Sequence, residues 1–314
     1  MTKSFEVLDS LSEHEFVSRF IRENKPVIVR DQNFEAEKWT PEIFKDLIGD
    51  MPTQVYGSLF NLKEVSTVAN YIDTHFNVEG VHKFRENVPY IRWYNKLKEI
   101  EYAWSDEAFA RLSDNWKKPT FLPDTDLLVP ATGNGRKADP VFDNFPYRGI
   151  LVAAKGARTR THTDPFCSDA VVNQLYGVKE VAMYSPARAE ELMNKPDDST
   201  SYGGFVDVRE SDLSKLSVEP DYHGFLKPGE VVYVPHGWIH DVIVTEDSLS
   251  ITWNFVHAKG ALEFVDYLMD GPDGDSEFEV LKFFYSLVGE QYKNSNEIVK
   301  AYNTEFAEIV NELS

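Results

Sequence analysis

Residues 147–257 limit the fold of this chain more than any other stretch. Short runs rich in β-branched and aromatic residues follow one another there, punctuated by glycine and proline. The runs fall at 149–154, 178–184, 230–234, 241–244 and 249–256. Several short strands with turn signals between them argue for a sandwich or barrel rather than βαβ units. No strand is followed by a glycine-rich phosphate loop, so a nucleotide-binding fold has no support.

The flanks read differently. Residues 12–24 have the period of an amphipathic helix, with a Ser12/Glu15 capping-box pattern and an apolar stripe of Phe16, Phe20 and Ile21. Residues 26–30 look like a short buried strand. Thr40 and Pro41 open a second helix as N-cap and first helical residue, and it ends near Gly49. Residues 63–76 suggest a third helix. After Lys259 the helical period returns in three apolar stripes: Leu262 to Met269, Phe283 to Leu287 and Ile298 to Ile309. Such faces need a partner surface, which is either the chain's own barrel or a second copy in a helix-mediated homodimer.

With 314 residues, 42% hydrophobic, the chain can bury a sizeable core. The 32 basic against 52 acidic residues give a formal charge of −20. That sign disfavours nucleic acid and anionic membrane surfaces as partners. A single cysteine, Cys167, excludes an intramolecular disulfide and a cysteine-based zinc cluster. No run reaches the ~18 apolar residues of a membrane span, and the first residues lack a signal-peptide core. A cytoplasmic location is the expectation.

Two of the eight histidines stand in informative company. His162 and Asp164 close a strand in the order Thr159-Arg160-Thr161-His162-Thr163-Asp164. Residues two apart on an extended backbone share a face, so this pair could meet on one metal. By itself His-x-Asp also fits a solvated strand end. Further on, Pro228-Gly229, an apolar strand and the turn Pro235-His236-Gly237-Trp238 deliver His240. Two imidazoles and one carboxylate make the facial triad that leaves positions open on non-haem Fe(II).

With these elements the sequence resembles the JmjC/cupin-like Fe(II)- and 2-oxoglutarate-dependent oxygenase family. Within that family it resembles the small hydroxylases, such as the HIF asparaginyl hydroxylase and the tRNA wybutosine hydroxylase. Five ordered segments carry the resemblance: Lys25 to Arg30 followed by Trp39, His162-Thr163-Asp164, Tyr176-Gly177-Val178-Lys179, Trp238-Ile239-His240 and Ile251 to Phe255. The resemblance implies a double-stranded β-helix (jelly-roll or cupin) core over residues 88–258. An α/β N-terminal support (1–87) and a helical C-terminal extension (259–314) would flank it.

The resemblance also implies roles. His162, Asp164 and His240 would bind Fe(II). Lys179 would pair with the distal carboxylate of the co-substrate 2-oxoglutarate, with Thr159 and Tyr90 completing that pocket and Asn254 supporting it near the metal. Dioxygen would be the second co-substrate. Arg92, one of a group with Arg148, Arg158 and Arg160 near the expected mouth, is the first candidate to meet a substrate. The substrate would be a protein side chain, an amino acid or a small metabolite.

One departure stands out. Where the relatives place a pocket asparagine four residues after the metal aspartate, this chain has Ser168; counted back from Lys179, the same position falls on Ala170. His236 is expected in a turn rather than on the metal, and His257 at the surface. Two other classes remain open. One is a cupin isomerase or non-oxoglutarate dioxygenase, which has no need of Lys179. The other is a catalytically silent binding protein that keeps the fold alone.

Overall fold

The computed structural model describes residues 1–58, 61–78, 88–94, 105–123, 127–129, 148–164, 167–193, 204–260, 263–264 and 266–267. In chain order the first seven strands are β1 (Val7–Leu8), β2 (Val27–Arg30), β3 (Pro52–Tyr56), β4 (Leu62–Thr67), β5 (Tyr90–Tyr94), β6 (Leu127–Val129) and β7 (Arg148–Ala153). The next are β8 (Arg158–His162), β9 (Asp169–Tyr176), β10 (Lys179–Tyr184), β11 (Tyr222–Leu226), β12 (Glu230–Val234), β13 (Ile239–Val244) and β14 (Ser248–His257).

They form two sheets. The smaller has the order β11-β10-β13-β8 and is antiparallel throughout. The larger runs β1-β2-β12-β9-β14-β7-β5-β3-β4, with β6 on β14, and its centre from β12 to β7 is antiparallel. Ala170, Val232 and Val234 of the larger sheet pack against Val181, Met183 and Leu226 of the smaller. Two four-stranded antiparallel layers closing on one core constitute the jelly-roll that the family resemblance implies, one form of the sandwich or barrel expected from the punctuated strand pattern.

The strands read as nearly unbroken apolar runs because most have both faces covered. All six residues of β10 are buried. Val181 and Met183 face the inter-sheet core, while Ala182 and Tyr184 pack outward against Leu192 and Val208. Strict alternation appears only where one face meets water.

The N-terminal residues extend the same larger sheet. β2 pairs antiparallel with β12, β5 pairs with β7, and β3 and β4 continue outward. The Ser12/Glu15 capping box forms, but only Glu13–Glu15 is α-helical; Phe16–Ile21 continues as a wider π turn that buries Phe16, Phe20 and Ile21. The second helix spans Pro41–Ile48 with Thr40 as its cap.

The helix expected over 63–76 is corrected. Its first part is strand β4, and only Val68–His75 is helical. Val65, Ser66 and Thr67 pair across to Gln54, Thr53 and Pro52, and the Thr67 side chain then caps the helix by accepting from the Asn70 amide. The exposed side chains of β4, Leu62 and Val65 among them, match a solvated edge strand, and without a buried face its period is easily confused with that of a helix. The apolar stripes after Lys259, and with them the expected dimer helices, lie outside the described residues except for 263–264 and 266–267. Among the described residues no helix is long and apolar enough to cross a membrane.

Gly177 turns the chain from β9 into β10 at φ +69°, and a Cβ there would lie 1.9 Å from the Asp247 carbonyl oxygen. Only glycine fits both constraints. Gly177→Ala is expected to lower unfolding free energy by at least about 2 kcal/mol, combining a left-handed backbone with a backbone clash. Urea unfolding followed by circular dichroism measures it.

Candidate active site

His162 is the last residue of β8 and His240 the second of β13, and the two are cross-strand partners. Their ring centroids lie 4.1 Å apart. Asp164 follows two residues beyond β8, with its Oδ2 4.0 Å from His240 Nε2. One potential ligand atom from each of the three lies within 4.8 Å of the others. His162 Nδ1 sits 2.7 Å from the Arg160 carbonyl oxygen and His240 Nδ1 3.0 Å from that of Trp238. A carbonyl partner selects the Nδ1–H tautomer, so in each ring Nε2 carries the lone pair a metal needs.

The electrostatics fit a cation at this point. Burial, then the neighbouring His240, hold His162 well below its ordinary range, so it is a neutral donor. Burial pushes Asp164 upward, offset in part by His240, by Arg92 and by a hydrogen bond from Asn254. A divalent ion would reverse the cost of that buried carboxylate while leaving the imidazoles neutral. Two neutral nitrogens and one oxygen anion suit Fe(II) with open coordination positions.

The three side chains line a cavity of about 290 Å³, near the small end of the ~300–1,000 Å³ typical of ligand pockets. Tyr90, Arg92, Thr159 and Lys179 line it too, between apolar walls that include Leu151, Val181 and Val232. Thr159 Oγ1 donates to the Tyr90 hydroxyl at 3.3 Å. Lys179 is only 4% exposed and its ammonium donates to Ser250 Oγ. Among the described residues no carboxylate pairs with it. Burial alone pushes Lys179 down to about 7. A buried cation without a counter-ion is costly, and the cavity beside it has room for an anion.

Thr159 and His162 reach one cavity although they are an odd number of residues apart. His240 pairs with His162 but Val242 pairs with Thr159, so β8 carries one extra residue between them. This bulge restores the inward orientation that plain alternation would reverse. Arg160 and Thr161, both opposite Asp241, turn outward toward Asp207 and Asp241.

The sequence-expected residues therefore converge: His162, Asp164, His240, Lys179, Thr159, Tyr90 and Arg92 share the cavity. Asn254 lies behind it, holding Asp164 and donating to Ser168 Oγ at 3.2 Å. At the departure from the relatives' asparagine, Ala170 faces the cavity and Ser168 sits behind with Asn254.

The arginine group is corrected. Arg158 and Arg160 point away from the cavity into ion pairs with Asp207, and the Arg148 guanidinium lies 4.1 Å over the Phe109 ring. Of the four, only Arg92 lines the cavity, because outward positions of β8 meet the 204–216 segment rather than the mouth. His236 is held off the metal position by Asp169, which accepts from both its amide and its ring. The surface position expected for His257 is also corrected. It is buried as the last residue of the central strand β14, with Nδ1 accepting from the Lys259 amide.

Sequence reasoning missed Ser250 and Thr252. Ser250 receives the Lys179 hydrogen bond and Thr252 lines the cavity. Their signal was present: Ser248, Ser250, Thr252 and Asn254 repeat at a period of two between apolar residues of β14, a polar stripe directed at one face.

Comparison with known proteins identifies the family. The family profile described as "Cupin-like domain" matches residues 12–260. An arginine-specific demethylase, JMJ20, of Arabidopsis thaliana is 24% identical over 79% of this chain and 56% of its own length. JmjC domain-containing protein A of Dictyostelium discoideum is 24% identical over 78% of this chain and 92% of its own. The 2-oxoglutarate and iron-dependent oxygenase JMJD4 of Gallus gallus is 32% identical over 59% of this chain and 45% of its own. The chain thus spans about half the length of the Arabidopsis and Gallus relatives.

Proposed function

Because the chain belongs to the cupin-like domain family, we propose that it is an Fe(II)- and 2-oxoglutarate-dependent oxygenase. His162, Asp164 and His240 would hold the metal, and Lys179, Thr159 and Tyr90 the distal carboxylate of 2-oxoglutarate. The observation that carries this reading is Lys179: a buried ammonium without a carboxylate partner among the described residues, in the same cavity as two imidazoles and a carboxylate. A cupin isomerase would have no use for that cation.

Iron bound at this triad supplies the dioxygen activation by which 2-oxoglutarate and a substrate C–H group become succinate, carbon dioxide and an alcohol. The chain's own residues provide the rest. The carbonyls of Arg160 and Trp238 fix both imidazole tautomers. Asn254 steadies Asp164. Lys179 would give the co-substrate carboxylate a charge-assisted donor, the Thr159 hydroxyl would turn from Tyr90 to give it a neutral one, and the apolar walls exclude water around it. Arg92, beside the triad, would orient a polar or anionic group of the substrate.

For the substrate we favour a protein side chain over a small metabolite. Two of the relatives above carry the names of an arginine-specific demethylase and a 2-oxoglutarate oxygenase. A net charge of −20 draws cationic peptides and repels nucleic acid. A cytoplasmic homodimer joined through residues 259–314 completes the proposal. Size-exclusion of a chain ending at Lys259 tests it, and an unchanged number of chains per particle would count against dimerisation through those residues.

The enzymatic reading is tested by anaerobic titration with Fe(II) and 2-oxoglutarate, then succinate measurement in air. A visible iron–oxoglutarate absorption band and succinate formation are expected. Absence of the band would sink the co-substrate assignment.

A further inference from the structure

The face of the smaller sheet turned away from the cavity carries a buried ion network. Arg158 on β8 pairs with Asp241 on β13 at 2.6 Å and with Asp207 at 2.6 Å. Arg209 donates from Nε to Asp241 at 2.5 Å and from Nη1 to Glu180 on β10 at 3.1 Å. His223 on β11 meets Glu180 at 3.2 Å. All four strands are thereby linked, and Asp241 and Arg209 have fully buried side chains.

The placement of these charges follows the site. Arg158 precedes Thr159, Glu180 follows Lys179, and Asp241 follows His240. Successive strand residues point to opposite faces, so each charged group sits directly behind a polar residue of the cavity. Other outward positions of β10 and β13 (Ala182, Tyr184, Ile239 and Ile243) are apolar. Apolar residues would stabilise that face at least as well as buried ions. Ion pairs add fixed geometry, since a bidentate guanidinium sets both the distance and the angle between the groups it joins.

Asp207 and Arg209 belong to no strand of the smaller sheet. They come from the segment that crosses its outer face, where the Arg209 amide donates to Asp207 and its Nη1 to the Leu213 carbonyl. We infer that this segment is a positioning device: Arg209 sets His240 and Lys179 relative to each other by holding Asp241 and Glu180, and Asp207 sets Thr159 by holding Arg158. This rests on the site assignment proposed above. None of these groups touches the cavity, so they are positioning residues.

The test measures Mn(II) affinity and then 2-oxoglutarate affinity of the Mn(II)-loaded full chain, at a temperature well below unfolding. Arg209→Met should weaken both by tenfold or more. Asp207→Asn, at a half-exposed position, should weaken 2-oxoglutarate at least threefold and leave Mn(II) within twofold. Leu192→Ala, an apolar truncation on the same outer face, is the control for lost stability alone, with both affinities within twofold. If Arg209→Met and Asp207→Asn behave like Leu192→Ala, the inference is overturned. Should Arg209→Met fail to fold, Asp207→Asn alone decides by its split between the two ligands. Wild-type protein that binds neither ligand would overturn the site assignment instead, an outcome separate from any variant.

Discussion

His162→Ala and His240→Ala should each lower succinate-forming turnover by at least about 10³-fold, because two donors cannot hold the metal in a defined geometry. The double variant should be scarcely worse than either single one. Groups that act as a unit lose their whole effect with the first removal. The proteins should nonetheless fold. Burial holds His162 neutral, and the surrounding strands pair through their backbones rather than through the two rings. Metal content by atomic absorption, turnover by succinate assay and thermal melting separate these effects. Near-wild-type turnover in either single variant would remove the triad from the mechanism.

The second large effect belongs to Lys179. Lys179→Met should weaken 2-oxoglutarate binding by about 30-fold to more than 10³-fold, the equivalent of the ~2–5 kcal/mol lost when one partner of a buried charge pair is truncated. Metal affinity should stay within about twofold. Ligand-free stability should move the other way. Burial places the folded value near 7, below the ordinary 10.5, so the fold favours the neutral amine. Its contribution is fully present above about pH 10.5, is lost as pH falls toward 7, and is absent below that. Methionine removes this penalty, so Lys179→Met should melt higher than wild type at pH 6–8, with the gain shrinking toward pH 10. The same shift makes co-substrate binding take up a proton above pH 7, where the free amine is mostly neutral and the bound one is charged. Affinity should fall toward tenfold per pH unit there, and calorimetry in buffers of different ionisation enthalpy counts the proton. A pH-independent affinity between 7 and 9 would contradict the assignment of Lys179.

Much of this site is legible in sequence because its ligands sit at strand ends, where period-two alternation and turn residues leave a strong pattern. His162, Asp164 and His240 are visible for that reason, whereas Lys179 stands out only through the resemblance of Tyr176-Gly177-Val178-Lys179 to the family's motif. The bulge in β8 was not. One extra residue leaves no compositional mark, and only pairing with β13 shows that Thr159 and His162 share a face. The arginines misled for a related reason: Arg158 and Arg160 are near the site in sequence, but their direction depends on the Asp207 segment, which is far from them along the chain. In the N-terminal part, β4 reads as helix in the sequence because an exposed edge strand lacks a buried face to reveal its period. Ser250 and Thr252 were missed although β14 displays them as a regular stripe; polar residues in a buried strand are themselves the signal of a cavity.

The position of β14 has a consequence for biosynthesis. It lies between β9 and β7, in the middle of the larger sheet, although it is the last strand of the jelly-roll in sequence. Until residue 257 has left the ribosome, β7 and β9 each expose an unpaired edge rich in valine, isoleucine and leucine, and Lys179 lacks Ser250. The nascent chain therefore spends the synthesis of some eighty residues after β9 with a gap at its centre, open to aggregation or chaperone capture. Premature termination between β13 and β14 leaves the two histidines without the strand that closes their cavity, and earlier termination removes His240 as well, so truncated products are non-functional from the outset rather than partly active.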